Sequence, residues 1–211
     1  FRSTIEAAAQ NALDGQIVTF GIRPDRAETG YGWLELTAQP SGDFAPVAQP
    51  LKSFVEKPDA ETAKALLSGG MHLWNAGIFL FSTETILGAF AGFAPETLSK
   101  VRNAFETAET DLGFTRLAAE PWFALEDISI DYAVMEKTQH GGVAALDCGW
   151  SDVGAWSALW ELGQGDDRGN VIEGDVVVQD ARGSYVRSES RLVTALGIED
   201  LVVVETPDAV M

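Results

Sequence analysis

The chain changes character after Gly163, and this change limits what it can fold into. Before Gly163, short apolar and β-branched runs alternate with helix-like segments, which predicts an α/β arrangement. After it, short β-branched runs are separated by Gly, Asp and Ser turns; these runs cover residues 171–172, 175–178, 183–186, 192–196 and 201–204. Their spacing favours a β-rich extension that stacks as a β-solenoid or forms a dimer interface. We therefore expect a main domain over residues 1–163 and an extension over residues 164–211.

The residues before Gly163 contain recognisable secondary-structure signals. Strands are predicted at residues 16–22, 33–36, 47–55, 72–82 and 143–146, with a hairpin tip at 41–43. Helices are predicted at residues 6–13, 61–67, 83–90, 95–110, 131–137 and 153–162. Asp59 is expected to cap the second helix, and Gly69 and Gly70 are expected to stop it. Trp156 and Trp160 lie four residues apart on one face of the last helix and are interpreted as core residues.

The charge of the chain argues against some partners. The 211 residues carry a formal net charge of -18, from 32 acidic and 14 basic side chains. Nucleic acids and anionic membranes require basic surfaces, so we expect neither as a partner. Cys148 is the single cysteine and cannot form an internal disulfide, which favours a reducing cytoplasm. The acidity is otherwise interpreted as an aid to solubility or as a source of ligands for a divalent metal.

The segment FVEKP at residues 54–58 places a charged pair at the end of a predicted strand. The ammonium group of Lys57 suits a phosphate, and the carboxylate of Glu56 can accept hydrogen bonds from vicinal hydroxyls. Pro58 is expected to bias Lys57 toward an extended conformation. The alternative is a solvated ion pair at a strand end.

Two further segments have the chemistry of a sugar site. Asn75 and Gly77 lie inside an apolar strand, where the amide of Asn75 must find partners in the protein or on a ligand. Gly77 allows backbone or ligand to approach closely. The turn TGYG at residues 29–32 could hold a sugar through backbone groups, although most such turns serve only to reverse the chain.

Asp152 lies close to the predicted start of the last helix in the segment DCGWSDVG at residues 147–154. A carboxylate at this position is either an N-terminal cap or a ligand for a hard divalent cation. Mg²⁺ takes one or two carboxylates together with substrate phosphates, so one Asp is compatible with such a site. The spacing of His72, His140 and Cys148 does not fit a zinc site. The sequence contains no Gly-x-Ser-x-Gly segment, so hydrolysis by a serine nucleophile is disfavoured.

Taken together, these segments resemble the mannose-1-phosphate guanylyltransferase family, including its bifunctional members that also carry a phosphomannose isomerase domain. The resemblance rests on motifs that occur in the family's order and cover most of the chain: TGYG at 29–32, FVEKP at 54–58, WNAGIF at 74–79, SIDYAVMEK at 129–137, GWSDVGAW at 149–156 and GNVIEGD at 169–175.

The resemblance implies a fold and a set of roles. The fold would be the α/β, Rossmann-like domain of a sugar-nucleotide pyrophosphorylase, followed by the short β-rich extension. Lys57 would contact the phosphate of mannose 1-phosphate, Glu56 and Asn75 would bind sugar hydroxyls, and Gly32 would give a backbone contact. Asp152 would be one of two aspartates that hold Mg²⁺, so the implied catalytic residues are Lys57 and Asp152. The sugar-phosphate oxygen would attack the α-phosphate of GTP and release pyrophosphate.

The departures from the family are informative. The sequence lacks the family's glycine-rich nucleotide loop, its first metal-binding Asp and the isomerase domain of the bifunctional members, and Ala155 stands where Ser is expected. We therefore expect an internal fragment that shows no turnover alone. The base of the nucleotide stays open. The alternatives are another sugar-1-phosphate nucleotidyltransferase, for example one that uses glucose 1-phosphate, and a non-catalytic sugar-phosphate-binding module.

Overall fold

The computed structural model describes residues 1–38 and 48–211, which form two compact units. The first unit covers Phe1–Trp150 and the second covers Ser151–Met211. The hairpin tip predicted at residues 41–43 lies outside the described residues. The boundary predicted between residues 163 and 164 stays a prediction.

The first unit combines helices and strands, as the sequence predicts. Its helices are α1 (Arg2–Leu13), α2 (Ala60–Gly69), α3 (Thr83–Phe93), α4 (Pro95–Glu106), α5 (Ala119–Phe123) and a π-helix (Asp131–Met135). Its strands are β1 (Ile17–Ile22), β2 (Trp33–Leu36), β3 (Gln49–Val55), β4 (His72–Leu80), β5 (Glu109–Asp111), β6 (Phe114–Arg116) and β7 (Gly141–Ala145).

Five of these strands close on themselves in the order β1-β4-β2-β3-β7. Within the described residues, β7 pairs in parallel with β1, and the other neighbours in this barrel are antiparallel. The mixed α/β content is confirmed, and within the described residues these five strands form a closed barrel. The barrel closes because β3 pairs with β2 on one side and with β7 on the other, so that neither β2 nor β7 is left as an edge strand.

The position of β1 in the core of the barrel explains why its residues form a continuous apolar run in the sequence. Ile17, Val18 and Phe20 are fully buried, and β1 has neighbours on both sides. Such a strand has no polar face, so it appears in the sequence as a short continuous apolar run. Leu34 and Val134 pack with Ile17 in one cluster, which ties β2 and the π-helix to the barrel.

The predicted helix caps are confirmed at α2. The carboxylate of Asp59 accepts a hydrogen bond from the backbone N–H of Thr62 at 2.7 Å. Gly70 ends the helix with a left-handed φ of 66°, a conformation that glycine adopts without steric cost. Ser82 caps α3 in the same way by accepting from the backbone N–H of Thr85.

Two predicted helices differ from the structure in a way that local bonding explains. The helix predicted at residues 95–110 ends at Glu106, where the hydroxyl of Thr107 donates to the carbonyl of Asn103, and the hairpin β5–β6 follows. The helix predicted at residues 131–137 is a π-helix, since the N–H of Glu136 donates to the carbonyl of Asp131, five residues back.

The second unit contains α6 (Trp156–Leu162) and the strands β8 (Val171–Glu173), β9 (Val176–Gln179), β10 (Tyr185–Ser188), β11 (Val193–Leu196) and β12 (Val202–Glu205). All five predicted strands are therefore present. They pair in parallel in the orders β12-β10-β8 and β11-β9. Parallel pairing of alternate strands is the geometry of a β-solenoid. Dimerisation through this extension stays a prediction.

The interpretation of Trp156 and Trp160 as core residues is wrong. The two residues are 39% and 37% exposed. Leu159 of α6 packs against the cluster of buried Val171 and Tyr185, and the ring of Trp156 contacts Tyr185 from the exposed side, with centroids 6.1 Å apart. Trp160 lies along the surface, where its indole N–H donates to the carbonyl of Gly169 at 2.8 Å. No residue of α6 is fully buried, and Leu159 is a partly buried residue that packs against the strands of this unit.

No helix within residues 1–38 and 48–211 has both the length and the apolar character needed to cross a membrane.

Candidate functional site

Gly32, Glu56 and Asn75 come together in the first unit from three separate parts of the sequence. The N–H of Asn75 donates to the carbonyl of Gly32 at 2.7 Å, because β2 pairs with β4. A Cβ atom on Gly32 would lie 2.6 Å from Oε2 of Glu56 and 3.2 Å from Cβ of Asn75. Real Cβ atoms essentially never approach neighbours at 2.6 Å, so a side chain at position 32 would displace the carboxylate of Glu56.

Glu56 and Lys57 form an ion pair just after β3. Nζ of Lys57 lies 2.8 Å from Oε1 of Glu56, and the side chain of Glu56 is 8% exposed whereas that of Lys57 is 60% exposed. The hydrogen bond and the negative charge of Glu56 raise the pKa of Lys57, and Tyr132 and Asp131 contribute to the same shift. Lys57 therefore stays positively charged at neutral pH and faces solvent, as a phosphate ligand must.

The expected extended conformation of Lys57 is wrong. Its φ is 45°, in the left-handed region that residues with a Cβ rarely adopt. Adjacent side chains on an extended strand point to opposite faces, so an extended Lys57 would direct its side chain away from Glu56. The left-handed turn brings the two side chains to one side, and the N–H of Lys57 donates to the carbonyl of Tyr31 at 3.3 Å. A strained backbone held by its neighbours is a common feature of ligand sites.

The carboxamide of Asn75 has protein partners at both ends. Its Oδ1 accepts from the hydroxyl of Thr19 at 2.7 Å and from the N–H of Gly77 at 3.1 Å. Its Nδ2 donates to Oδ1 of Asp131 at 3.3 Å. An amide nitrogen carries two hydrogens, and Asp131 takes one of them. The protein thus satisfies the oxygen end of the amide and one of its two N–H groups.

The π-helix supplies two carboxylates that sequence reasoning does not identify as site residues. Asp131 lies at its start and contacts Asn75, and Oε1 of Glu136, just after its end, accepts from the N–H of Glu56 at 3.4 Å. The signal in the sequence is the pattern DYAVME, in which four residues, three of them buried in the structure, separate two acidic groups. The pattern alone does not predict that Asp131 and Glu136 lie on one side. Residues five positions apart lie on different faces of an α-helix and come to one face only in a π-turn.

Aromatic rings hold the loop that carries Gly32. Tyr31 makes edge contacts with Trp74 and Trp150, with ring centroids 5.3 Å and 5.7 Å apart. The guanidinium of Arg26 lies 5.0 Å from the centroid of the Trp74 ring. The indole N–H of Trp33 donates to the carbonyl of Glu28 at 2.9 Å. These contacts fix the loop, so the packing of Gly32 against Glu56 is built into the fold.

Asp152 lies in the second unit and is exposed. The N-cap position of α6 is Ala155, so the alternative in which Asp152 caps this helix is excluded. A Cβ on Gly154 would stand 3.2 Å from Oδ2 of Asp152, which shows that glycine leaves room around the carboxylate. The structure thus brings Gly32, Glu56 and Asn75 together with Lys57 in the first unit and places Asp152 in the other.

Within residues 1–38 and 48–211, no group of three or more His, Cys, Asp or Glu side chains could hold a metal ion. The groups that meet in the first unit have another chemistry. Carboxylates accept hydrogen bonds from hydroxyls, the amide nitrogen of Asn75 donates to an oxygen, and the ammonium of Lys57 attracts an anion. Such a set suits a ligand that carries both hydroxyls and a phosphate.

Two family models match this chain. Residues 1–168 match the family model described as nucleotidyl transferase, and residues 174–211 match one described as MannoseP isomerase/GMP-like beta-helix domain. The chain is 43% identical over 211 residues to mannose-1-phosphate guanylyltransferase of Escherichia coli (strain K12) and 44% identical to that of Salmonella typhimurium. It spans 44% of the length of each of these curated relatives.

A solved structure is similar in both fold and sequence. The crystal structure of mannose-1-phosphate geranyltransferase from Thermus thermophilus matches with a TM-score of 0.79 and 30% identity. The match covers the whole of this chain and 59% of that one. Because the nucleotidyl transferase model matches well over half of the residues, the chain belongs to the nucleotidyl transferase family.

Proposed function

We propose that the full natural chain is a mannose-1-phosphate guanylyltransferase, which transfers GMP from GTP to mannose 1-phosphate and releases pyrophosphate. The observation that carries the proposal is the convergence of Gly32, Glu56, Lys57 and Asn75 on one site. The names of the curated relatives support it, since each is called a mannose-1-phosphate guanylyltransferase.

The residues of the first unit would bind the acceptor sugar phosphate. The ammonium of Lys57 would neutralise the phosphate, and Glu56 and the amide nitrogen of Asn75 would hold sugar hydroxyls. Gly32 would bring backbone within reach of the sugar. Binding in this way orients the phosphate oxygen for attack on the α-phosphate of GTP, and orientation with charge neutralisation is most of what phosphoryl transfer asks of a protein.

We propose Mg²⁺ as the cofactor and Asp152 as a ligand that this chain supplies. Its carboxylate is exposed, caps no helix and has glycine beside it, which fits a cation that prefers one or two carboxylates plus phosphate oxygens. When bound, Mg²⁺ would neutralise charge on the phosphates of GTP. Asp152 itself would hold and orient the ion.

We propose further that the nucleotide is bound by residues outside these 211. The sequence contains no glycine-rich loop of the kind that cradles nucleotide phosphates, and the curated relatives are more than twice as long. We propose the Rossmann-like fold for the full domain, beyond the closed five-stranded barrel of the described residues. A transferase assay on residues 1–211 alone should accordingly show no pyrophosphate release.

The test is Lys57→Ala in the full natural chain. Loss of a charge-assisted hydrogen bond worth about 1.5–3 kcal/mol should raise KM for mannose 1-phosphate about 10–100-fold. KM for GTP should not change. Lys52→Ala is the matched control, because Lys52 lies on β3, is 61% exposed and forms an ion pair with Glu35. Equal kinetics in the two variants would contradict the proposal.

The alternatives are separated by the choice of substrate. Higher kcat/KM with glucose 1-phosphate than with mannose 1-phosphate would indicate a different sugar-1-phosphate nucleotidyltransferase. Sugar-phosphate binding without pyrophosphate release by the full natural chain, in the presence of GTP and Mg²⁺, would indicate a non-catalytic binding module.

A further inference from the structure

Asn75 is held by partners whose polarity is chemically fixed. A backbone N–H can only donate a hydrogen bond, and an ionised carboxylate can only accept one. The N–H of Gly77 therefore requires oxygen at the end of the amide that it contacts, 3.1 Å away. The carboxylate of Asp131 requires nitrogen at the other end, 3.3 Å away.

Thr19 adds a buried contact to the oxygen end. Its residue is fully buried in β1, and its hydroxyl lies 2.7 Å from Oδ1 of Asn75 and 3.3 Å from the carbonyl of Ile78. Because Thr19 is buried and its hydroxyl contacts the amide of Asn75, we expect any effect of this hydroxyl on binding to be exerted through that amide.

The π-helix holds Asp131 in contact with the nitrogen of the Asn75 amide. The residues that follow it, Ala133, Val134 and Met135, are buried in the core of the first unit, so the start of the π-helix is fixed against the barrel. Its carboxylate is partly exposed and also adds to the negative charge near Lys57. A flipped amide would place oxygen against this carboxylate and nitrogen against the N–H of Gly77, and both contacts are repulsive.

We infer that Thr19 and Asp131 are positioning residues that lock the Asn75 carboxamide with its nitrogen toward the ligand. The site then selects a sugar oxygen that can accept a hydrogen bond at Asn75. This inference rests on the proposed function, because it assigns the orientation of a group within the same acceptor-sugar site. It assigns roles to two residues that do not themselves need to touch the sugar.

The first experiment uses Thr19→Val and Thr19→Ser in the full natural chain. Valine keeps the volume and removes the hydroxyl, whereas serine keeps the hydroxyl. We expect Thr19→Val to raise KM for mannose 1-phosphate about tenfold, the equivalent of one hydrogen bond, with KM for GTP unchanged. Thr19→Ser should stay within about twofold of the wild type. The inference would be overturned if Thr19→Val raised KM for mannose 1-phosphate and KM for GTP equally. It would also be overturned if a folded Thr19→Val enzyme showed no rise in either KM.

The second experiment uses Asp131→Ala, with Asp127→Ala as the matched control. Asp127 is an exposed carboxylate four residues earlier in the same connection. We expect only Asp131→Ala to raise KM for mannose 1-phosphate. This pair keeps the inference testable if Thr19→Val does not fold, since Asp131 is partly exposed and its removal leaves the buried core intact.

A readout with substrate analogues separates positioning from simple structural damage. The wild type should discriminate strongly against the monodeoxy mannose 1-phosphate that lacks the oxygen bound by Asn75. In Thr19→Val this discrimination should fall at that one sugar position and persist at the others. Uniform loss at every position would show that Thr19 has only a structural role.

Failure of the proposed function would be visible in the wild type, whereas failure of the positioning role would be visible only in the variants. If the wild type uses another sugar 1-phosphate and not mannose 1-phosphate, the proposed function is wrong, and the same variants then test the positioning role with that sugar. If the wild type binds no sugar phosphate at all, both proposals are wrong.

Discussion

Gly32 and Glu56 lie so close that a Cβ atom at position 32 would stand 2.6 Å from Oε2 of Glu56. The same Cβ would lie 3.0 Å from Cζ of Phe54. The carboxylate that we propose as a sugar ligand is thus packed against backbone that has no side chain. This contact joins the loop before β2 to the end of β3 and makes the position of Glu56 depend on Gly32.

Gly32→Ala should therefore weaken sugar-phosphate binding. Overpacking of this kind costs about 1–3 kcal/mol, and displacement of Glu56 should raise KM for mannose 1-phosphate about tenfold or more. The measurement is steady-state kinetics on the full natural chain. Gly88→Ala in α3 is the control, because a Cβ there meets nothing within 4 Å and alanine favours a helix. A Gly32→Ala enzyme with unchanged KM would contradict the dependence of sugar-phosphate binding on the packing of Gly32 against Glu56.

Gly174→Ala should destabilise the β-solenoid more than Gly197→Ala. Both glycines have positive φ, 86° and 65°, so both substitutions carry a backbone cost of about 1–2 kcal/mol. At Gly174 the new Cβ would also lie 2.0 Å from the carbonyl oxygen of Ser188, whereas at Gly197 it meets nothing within 4 Å. Hydrogen exchange over residues 171–205 of the full natural chain should show the difference. Equal loss of protection would mean that steric overlap adds nothing.

Glu205→Gln should change the acid stability of the second unit. The carboxylate of Glu205 is buried and accepts from the hydroxyl and N–H of Ser190 and from the N–H of Arg191. The Ser190 hydroxyl, followed by these N–H groups, lowers the pKa of Glu205 to about 2 from its ordinary value of 4.5. Because the pKa is lowered on folding, the stabilisation is present above pH 4.5 and is lost as the pH falls toward 2.

The variant should thus be less stable than the wild type at neutral pH, and the difference should shrink as the pH falls from 4.5 to about 2. Thermal unfolding of the full natural chain at a series of pH values measures this. Glu199→Gln is the control, because Glu199 is 55% exposed and forms its ion pair with the exposed side chain of Arg182. If the stability difference between Glu205→Gln and the wild type did not vary with pH, the lowered pKa of Glu205 would be contradicted.

Asp152→Asn should raise the Mg²⁺ concentration needed for half-maximal activity while leaving thermal stability unchanged. Asp152 is exposed and caps no helix, so its charge contributes little to folding. Titration of activity against Mg²⁺ in the full natural chain tests this, with exposed Asp167→Asn as the control. If the Mg²⁺ requirement of Asp152→Asn equals that of the wild type, Asp152 does not hold the metal.

The sequence predicts the elements well where local chemistry determines them. Asp59 and Gly70 delimit α2 because capping depends on neighbouring residues alone. The five strands after Gly163 follow from β-branched runs between turns, and β1 follows from a continuous apolar run. The prediction is wrong where distant contacts decide, as at Trp156 and Trp160, whose exposure depends on which residue of α6 meets the solenoid.

The same division holds for the candidate site. The sequence alone, through its motifs, identified Gly32, Glu56, Lys57, Asn75 and Asp152 as the residues with suitable chemistry. The tertiary structure decided that the first four meet, that Lys57 turns left-handed to pair with Glu56, and that Thr19 and Asp131 contact the two ends of the Asn75 amide. The physical reason is that residue type fixes what a side chain can donate or accept, whereas its direction depends on strand pairing and on the π-turn, which join residues 56 positions apart.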